Sequence, residues 1–389
     1  MRITNLGQIF EWIRSSGVCA TKRDLQEKTG LSWATVSGSI SALVQKGFVT
    51  ETDSGALQKS GRPAKCYDIS SEQNLLIGVD INIESIHVAL IDMKCRVLHS
   101  MSRMIILDEK DFILEATKEM IYAVIAQANR DAILGIGFAL MGAVDAKNGV
   151  ALYYHLIKNW RNVDIKGIFE KEFGLPVLVE HDPNCQAIAE INTNSGPLYD
   201  NLVFLRLSLG IGMSQVVAGQ IFKGSSGSAG EIGHVCMDKN GPRCYCGKRG
   251  CVEAYASISG IARRVMEANK AENGLAERSP ERDLSIVHRL AAAALAGDLQ
   301  AKAYFDTAAE ILGLSIGNLI SLVNPSLVII GGAFKQYAPL YMERLRTIAK
   351  EVCWPYSNVD IVLSSLPPNA AAVGAAALFI QRKIWETLF

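Results

Sequence analysis

The chain has 389 residues, 49% apolar and 20% charged, with 39 Lys and Arg against 39 Asp and Glu. That length and apolar content imply two or three domains with hydrophobic cores and exclude a disordered or collagen-like chain. Apolar runs such as Ser326 to Phe334 fall short of the roughly 18–20 residues a membrane span needs, and Met1 to Phe10 has no signal-peptide pattern, so a cytoplasmic protein without membrane insertion is expected.

The first seventy residues hold nine Lys and Arg against six Asp and Glu, which makes the N-terminal end the part suited to a polyanion. From Thr21 the segment TKRDLQEKTGLSWATVSGSISALVQKGF reads as helix, turn, helix. Thr21 and Asp24 form a capping pair, Leu25 anchors a short helix, Gly30 supplies the turn, and a second helix is expected from Ser32. Val36, Ile40, Leu43 and Val44 are expected on its buried stripe. The other face, with Trp33, Ala34, Thr35, Ser37 and Ser39, is mostly small and polar and suits the major groove of double-stranded DNA. Beyond Val49 a β-like pair surrounds a Gly/Ser-rich tip carrying Lys59, Arg62 and Lys65, and Gly61-Arg62-Pro63 suits insertion of an Arg into a narrow minor groove. Residues 1–72 are therefore expected to form a winged helix-turn-helix that binds DNA.

From Leu75 the pattern changes to strands, with a turn near Met93-Lys94. Helical periodicity over Phe112 to Asn129 precedes a buried strand at Ile133 to Leu140, and further strands are expected at Val177 to Glu180 and Leu202 to Leu209. A long apolar helix, Ala301 to Leu322, a strand ending in Gly331-Gly332 and a terminal helix close the chain. The alternation defines an α/β body.

Nine cysteines are present, five of them (Cys185, Cys236, Cys244, Cys246, Cys251) in one region, which argues against a disulfide framework and for a metal. In GEIGHVCMDKNGPRCYCGKRGCVEAYAS, one imidazole, His234, and three thiols, Cys244, Cys246 and Cys251, lie within eighteen residues. That N/S set suits tetrahedral zinc, and four protein ligands leave no open position, so the zinc is expected to be structural, one per chain. Cys236 is a fifth candidate that spacing alone does not exclude.

With these segments in hand, the chain resembles the ROK family of repressors, open reading frames and kinases, and within it the sugar-responsive repressors. The match spans nearly the whole chain, and GEIGH…CxCGxxGCxExxAS is close to that family's most specific signature. The resemblance implies an actin-like (ribonuclease H-like) two-lobed sugar-kinase fold with zinc holding the sugar loop. It makes Asp182 the counterpart of the catalytic base and a sugar ligand, with Glu231, His234 and Glu253 further sugar ligands, while His181 stands where the family usually has an Asn that contacts the sugar. Carboxylates that accept from vicinal hydroxyls and a metal-locked imidazole that donates form a reasonable sugar site on physical grounds as well.

The phosphate motifs depart from the family's kinases. Where those carry Asp-x-Gly-Gly-Thr, this chain has Asp80-Ile81-Asn82-Ile83-Glu84, and a Gly-rich run is reduced to Ser208-Leu209-Gly210-Ile211-Gly212-Met213-Ser214. A phosphoryl-transfer site needs a backbone cradle of that kind, so the body reads as a sugar-sensing domain derived from a kinase, Asp182 being a vestigial base. The expected product is a repressor of carbohydrate genes, a homodimer or homotetramer on a pseudo-palindromic operator, controlled by a sugar or sugar phosphate. A regulatory protein partner is a further way to control it, and an active ATP-dependent sugar kinase carrying a helix-turn-helix is the alternative. Residues 73–195 with 370–389 are expected to form the small lobe and 196–369 the large lobe with the zinc loop and an oligomerisation surface. Specificity is expected to depend on the loop around Asn159-Trp160 and on His181.

Overall fold

A computed structural model describes residues 4–53, 65–82, 85–104, 109–194, 199–268 and 279–382. They fall into two compact units, Met1–Ser195 with Pro367–Phe389, and Gly196–Leu366.

The first unit begins with α1 (Asn5–Ser15), β1 (Ala20–Thr21), α2 (Lys22–Thr29), α3 (Trp33–Gln45), β2 (Val49–Asp53) and β3 (Lys65–Ile69), three helices with an antiparallel sheet in the order β1-β3-β2. Local chemistry sets its boundaries. Thr21 Oγ1 accepts from the Asp24 amide at 3.2 Å while the Asp24 carboxylate accepts from the Thr21 amide at 2.9 Å, and Gly30 ends α2 at φ +69°, where a side chain would be strained. Ser32 caps α3 by accepting from the Thr35 amide. Val36, Ile40 and Leu43 are buried, as are Ile9, Phe10, Ile13 and Leu25. Val44 departs from the expected stripe and is 39% exposed. At 3.6 residues per turn it lies about 80° round the helix from Val36, off the line that Val36, Ile40 and Leu43 share.

One further expectation is corrected in this module. Cys19 and Cys66 are joined by a disulfide with their Cα atoms 5.6 Å apart, so the scattered cysteines are not all unpaired. The bond follows from the pairing of β1 with β3, which sets Thr21 opposite Cys66, a contact across 47 residues of sequence. Lys65 is ion-paired with Glu51 on the neighbouring strand and remains exposed. Lys59 and Arg62 lie outside the described residues.

Next come β4 (Leu75–Ile81), β5 (Ser85–Ile91), β6 (Val97–Met104), α4 (Lys110–Ile125), β7 (Ile133–Leu140), β8 (Ala143–Asp145), β9 (Val150–Tyr153), β10 (Arg161–Asp164), α5 (Ile165–Phe173), β11 (Val177–His181) and α6 (Asp182–Thr193). The main sheet runs β11-β7-β4-β5-β6, parallel across β11, β7 and β4 and antiparallel from β4 outward. Every residue of β4 is buried, as a central strand covered on both faces requires.

The second unit contains β12 (Leu202–Leu207), β13 (Ile211–Val217), β14 (Gln220–Ile221), α7 (Val252–Ala256), α8 (Ile258–Ala268), α9 (Pro280–Leu295), α10 (Leu299–Val323), β15 (Leu327–Gly331), α11 (Ala338–Val352) and β16 (Asp360–Leu363). Its sheet, β14-β13-β12-β15-β16, repeats the plan of the first: three parallel strands extended by an antiparallel hairpin. By length and composition α10 is apolar enough to cross a membrane, unlike the shorter runs read from the sequence. Phe305, Ala308, Ala309, Leu312, Ile316 and Ile320 along it are buried in this fold, as in the central helix of a globular unit.

The chain returns to the first unit with α12 (Ala370–Arg382). Gly78 and Gly137 let this helix reach the sheet: a Cβ there would stand 1.8 Å from the Ala372 carbonyl and 1.9 Å from that of Ala375.

Candidate functional site

The Cys/His loop follows β14 and runs into α7. Gly250 makes its tight return possible, with φ +68° and no room for a Cβ, which would lie 1.6 Å from the Asp238 carbonyl. Isolated bridges between Cys236 and Cys251 and between Arg243 and Arg249 fold the loop on itself. The result brings His234, Cys244, Cys246 and Cys251 together with all four ligand atoms within 4.8 Å of one another. Cys244 Sγ is 3.6 Å from His234 Nδ1, and Cys246 Sγ is 3.7 Å from Cys251 Sγ. Tetrahedral zinc, with its known bond lengths, separates its ligands by about 3.5–3.8 Å, so this donor set fits the ion. Cys236 is outside the cluster, exposed, with its Sγ 3.3 Å from the Arg249 carbonyl. Its main chain joins the loop while its thiol points elsewhere.

The protonation states are consistent with a metal site. Burial, helped by Lys248, pushes the His234 pKa below the usual imidazole value against the pull of Glu231, a shift toward the neutral form that a ligand needs. Burial lifts the Cys244 thiol to about 12. Without a cation beside it this sulfur stays protonated; a bound Zn²⁺ supplies the charge that makes it a thiolate.

With Nδ1 turned to the cluster, His234 presents Nε2 to the Tyr245 hydroxyl at 3.0 Å and to Glu231 at 4.0 Å. Tyr245, between two of the thiols in CYC, is a neighbour that residue type alone did not flag. Glu253 sits in the first turn of α7, buried, with Oε2 accepting from the Ile211 amide at 2.8 Å. Burial raises its pKa to about 7. Glu231, His234 and Glu253 are thus grouped around one loop of the second unit.

His181 and Asp182 belong to the first unit. His181 is the last residue of β11, beside Leu140 at the end of parallel β7, and Asp182 follows it, the position where ligands meet open α/β sheets. Asp182 opens α6 and is buried; His181 Nε2 lies 3.6 Å from its Oδ1. Glu180 accepts from the His181 amide and from Asn184, which holds this corner. Asn159 takes φ +59° and bonds Glu109, while Trp160 is buried.

The two segments compared above with phosphate motifs make local hydrogen bonds. At the end of β4, Asn82 donates to Asp80 at 3.0 Å and accepts from Ser85; Ile83 and Glu84 lie outside the described residues. In the β12–β13 turn the Ser208 amide bonds the Gly210 carbonyl and the Ile211 amide bonds Glu253. A Cβ on Gly210 would stand 2.8 Å from Glu253 Oε2, so that carboxylate covers the turn.

On α3, Trp33 and Ala34 are exposed and Thr35, Ser37 and Ser39 half-buried, all on the helix that Ser32 caps.

Residues 76–382 match the ROK family, and the chain belongs to it. It is similar to the xylose repressor of Caldicellulosiruptor bescii, with 27% identity over 93% of this chain and 92% of that one. A glucokinase from Thermotoga maritima is 30% identical over 79% of this chain and 98% of its own length. Among solved structures, a ROK family transcriptional regulator homologous to the E. coli MLC protein matches with 25% identity and a TM-score of 0.75, over 97% of this chain and 95% of that one.

Proposed function

We propose that this protein is a sugar-responsive transcriptional repressor of carbohydrate genes. The observation that carries it is the reach of the similarity. The repressor and regulator matches run through the N-terminal three-helix module, whereas the glucokinase match covers 79% of the chain. In this reading residues 1–72 are a winged helix-turn-helix, with Trp33, Ala34, Thr35, Ser37 and Ser39 toward base edges and Lys59, Arg62 and Lys65 at the wing. Residues 73–195 with 370–389 form the small lobe of an actin-like fold and 196–369 the large one.

His181, Asp182, Glu231, His234 and Glu253 bind the hydroxyls of a sugar or sugar phosphate, and zinc on His234, Cys244, Cys246 and Cys251 holds the sugar loop. One ring nitrogen of His234 then faces metal and the other faces sugar, an orientation a metal ligand fixes. The ATP site is disabled: amides a phosphate cradle would offer bond Gly210 and Glu253 instead. The protein acts in the cytoplasm as a homodimer or homotetramer, each pair presenting two recognition helices to a pseudo-palindromic operator. The effector acts through its differential affinity for the DNA-binding and released conformations.

The test selects an operator from a random-sequence DNA pool and measures its affinity with and without a panel headed by D-xylose and D-glucose. One sugar that weakens operator binding at least tenfold, with no ADP formed from ATP, is the expected outcome. ADP production coupled to sugar phosphorylation would overturn it in favour of a kinase.

A further inference from the structure

Among the described residues, Asn74 beside β4 donates to the Lys46 carbonyl just after α3 at 3.2 Å, and the three-helix module is held to the α/β part of the first unit at two further places that come from different elements. One is the turn between β5 and β6. There Lys94 Nζ donates to the Ser16 carbonyl at 2.8 Å, just past α1, and pairs with Asp68 of β3 at 2.5 Å. Arg96, tied to Asp92 at 2.5 Å, reaches Asp68 and the Ile69 carbonyl. The other is the last turn of α6, where the Asn192 side-chain oxygen accepts from Arg14 of α1 at 2.8 Å.

The second contact is aimed from both sides. Asn192 donates its amide to the Ile188 carbonyl at 2.7 Å, which turns its oxygen toward α1. Arg14 is fixed by Glu11 at 2.9 Å, and its side chain is 17% exposed. Between these residues and Asp182 lies one helix. Its twelve residues span about 18 Å at 1.5 Å per residue. It is backed so closely by α12 that a Cβ on Gly374 would stand 1.7 Å from the Cys185 carbonyl. A helix supported in this way transmits a displacement of one end to the other instead of absorbing it in a bend.

We infer that α6 is the strut linking effector binding to the DNA-binding module, and that Arg14 and Asn192 are the positioning residues through which it acts. The inference rests on the reading of Asp182 as a sugar ligand. A ligand that draws on Asp182 shifts α6 by the ångström or two typical of packed helices. Lys94 holds the Ser16 carbonyl two residues beyond Arg14 and pairs with Asp68 of β3, so a shift at Asn192 acts on the end of α1 against these fixed contacts and moves α3 with it. By linkage, DNA held by α3 must alter α6 in return.

The experiment follows hydrogen exchange in the full-length, zinc-loaded protein and its Arg14→Ala and Asn192→Ala variants, with D-xylose or D-glucose added in one arm and a 40-base-pair duplex at low salt in the other. In the parent, sugar is expected to change exchange both at residues 182–185 and in α1, and the duplex to change it in α3 and in α6. In both variants the change at the near end persists and the far end stays silent. Sugar and DNA affinities, measured separately, remain within about threefold of the parent, while the sugar-induced loss of DNA affinity falls from the 5–150-fold range of ordinary coupling to about twofold. A residue that served only to fold the module would shift those separate affinities as well.

Transmission in the variants equal to the parent's overturns the inference, as does a parent in which residues 182–185 respond and α1 does not. If neither sugar alters residues 182–185, the sugar assignment fails, and the duplex arm still decides whether α6 is coupled. Asn192→Ala leaves the Glu11–Arg14 pair in place, so it serves where Arg14→Ala fails to fold.

Discussion

At the scale of single residues, the chain's most specific feature is a cluster whose members need one another. Cys246 Sγ lies against Cys251, and Cys244 against His234. A hydroxyl in place of one thiolate is a poor zinc ligand, so Cys246→Ser is expected to lose most of its bound zinc. The readout is metal content per chain after dialysis; full occupancy in the variant would refute the four-ligand set. Asp68 yields a prediction with a definite sign. Burial alone would raise its carboxyl, but Lys94, the Ile69 amide and Arg96 outweigh that and hold it below the ordinary 3.8. A depressed folded-state pKa adds stability above the unfolded value and loses it as pH falls through the folded one. Asp68→Asn should therefore lower the melting temperature at pH 7, and the gap to the parent should close below about pH 4. A gap that persists there would mean that the side chain matters for shape and not for charge.

At the scale of elements, two glycines of opposite sign test the packing. Gly374→Ala drives a Cβ into the backbone of α6 at Cys185 and should destabilise the first unit by about 3 kcal/mol. Gly38 lies inside α3 with nothing within 4 Å of its would-be Cβ, so Gly38→Ala should stabilise by about 0.5–1 kcal/mol. Chemical denaturation reads both. The same contrast explains what the sequence discloses about this fold. Elements with local signals are legible in it: the Thr21–Asp24 capping pair, the stripe of α3 at Val36, Ile40 and Leu43, the all-apolar run of β7, and the Cys/His cluster, crowded within eighteen residues. What is hidden depends on partners far along the chain. The Cys19–Cys66 bond exists because β1 pairs with β3. The strands β8 to β10 are three or four residues long, too short to show a period. That Cys236 stands apart from the metal ligands depends on which way one thiol turns, and the Arg14–Asn192 contact joins residues 178 positions apart.

At the scale of the whole molecule, the repeated five-stranded plan is one the chain shares with a ROK family glucokinase, while in the β12–β13 turn the Ile211 amide is bonded to Glu253. The Gly210 Cα lies against the same carboxyl, so a phosphate arriving there would have to displace a buried carboxyl group. Sugar and nucleotide binding should therefore separate. A ligand present at a hundred times its Kd stabilises the native state by about 2.7 kcal/mol, which is about 2–4 °C in melting temperature per kcal/mol for domains of this size. The effector sugar should produce a shift of several degrees. Adding 5 mM MgATP, about the highest nucleotide level a kinase site would need given KM values of up to about 1 mM, should add nothing to it. A further shift on MgATP would show that the turn between β12 and β13 still opens to phosphate, and that regulation and phosphoryl transfer have not parted in this chain.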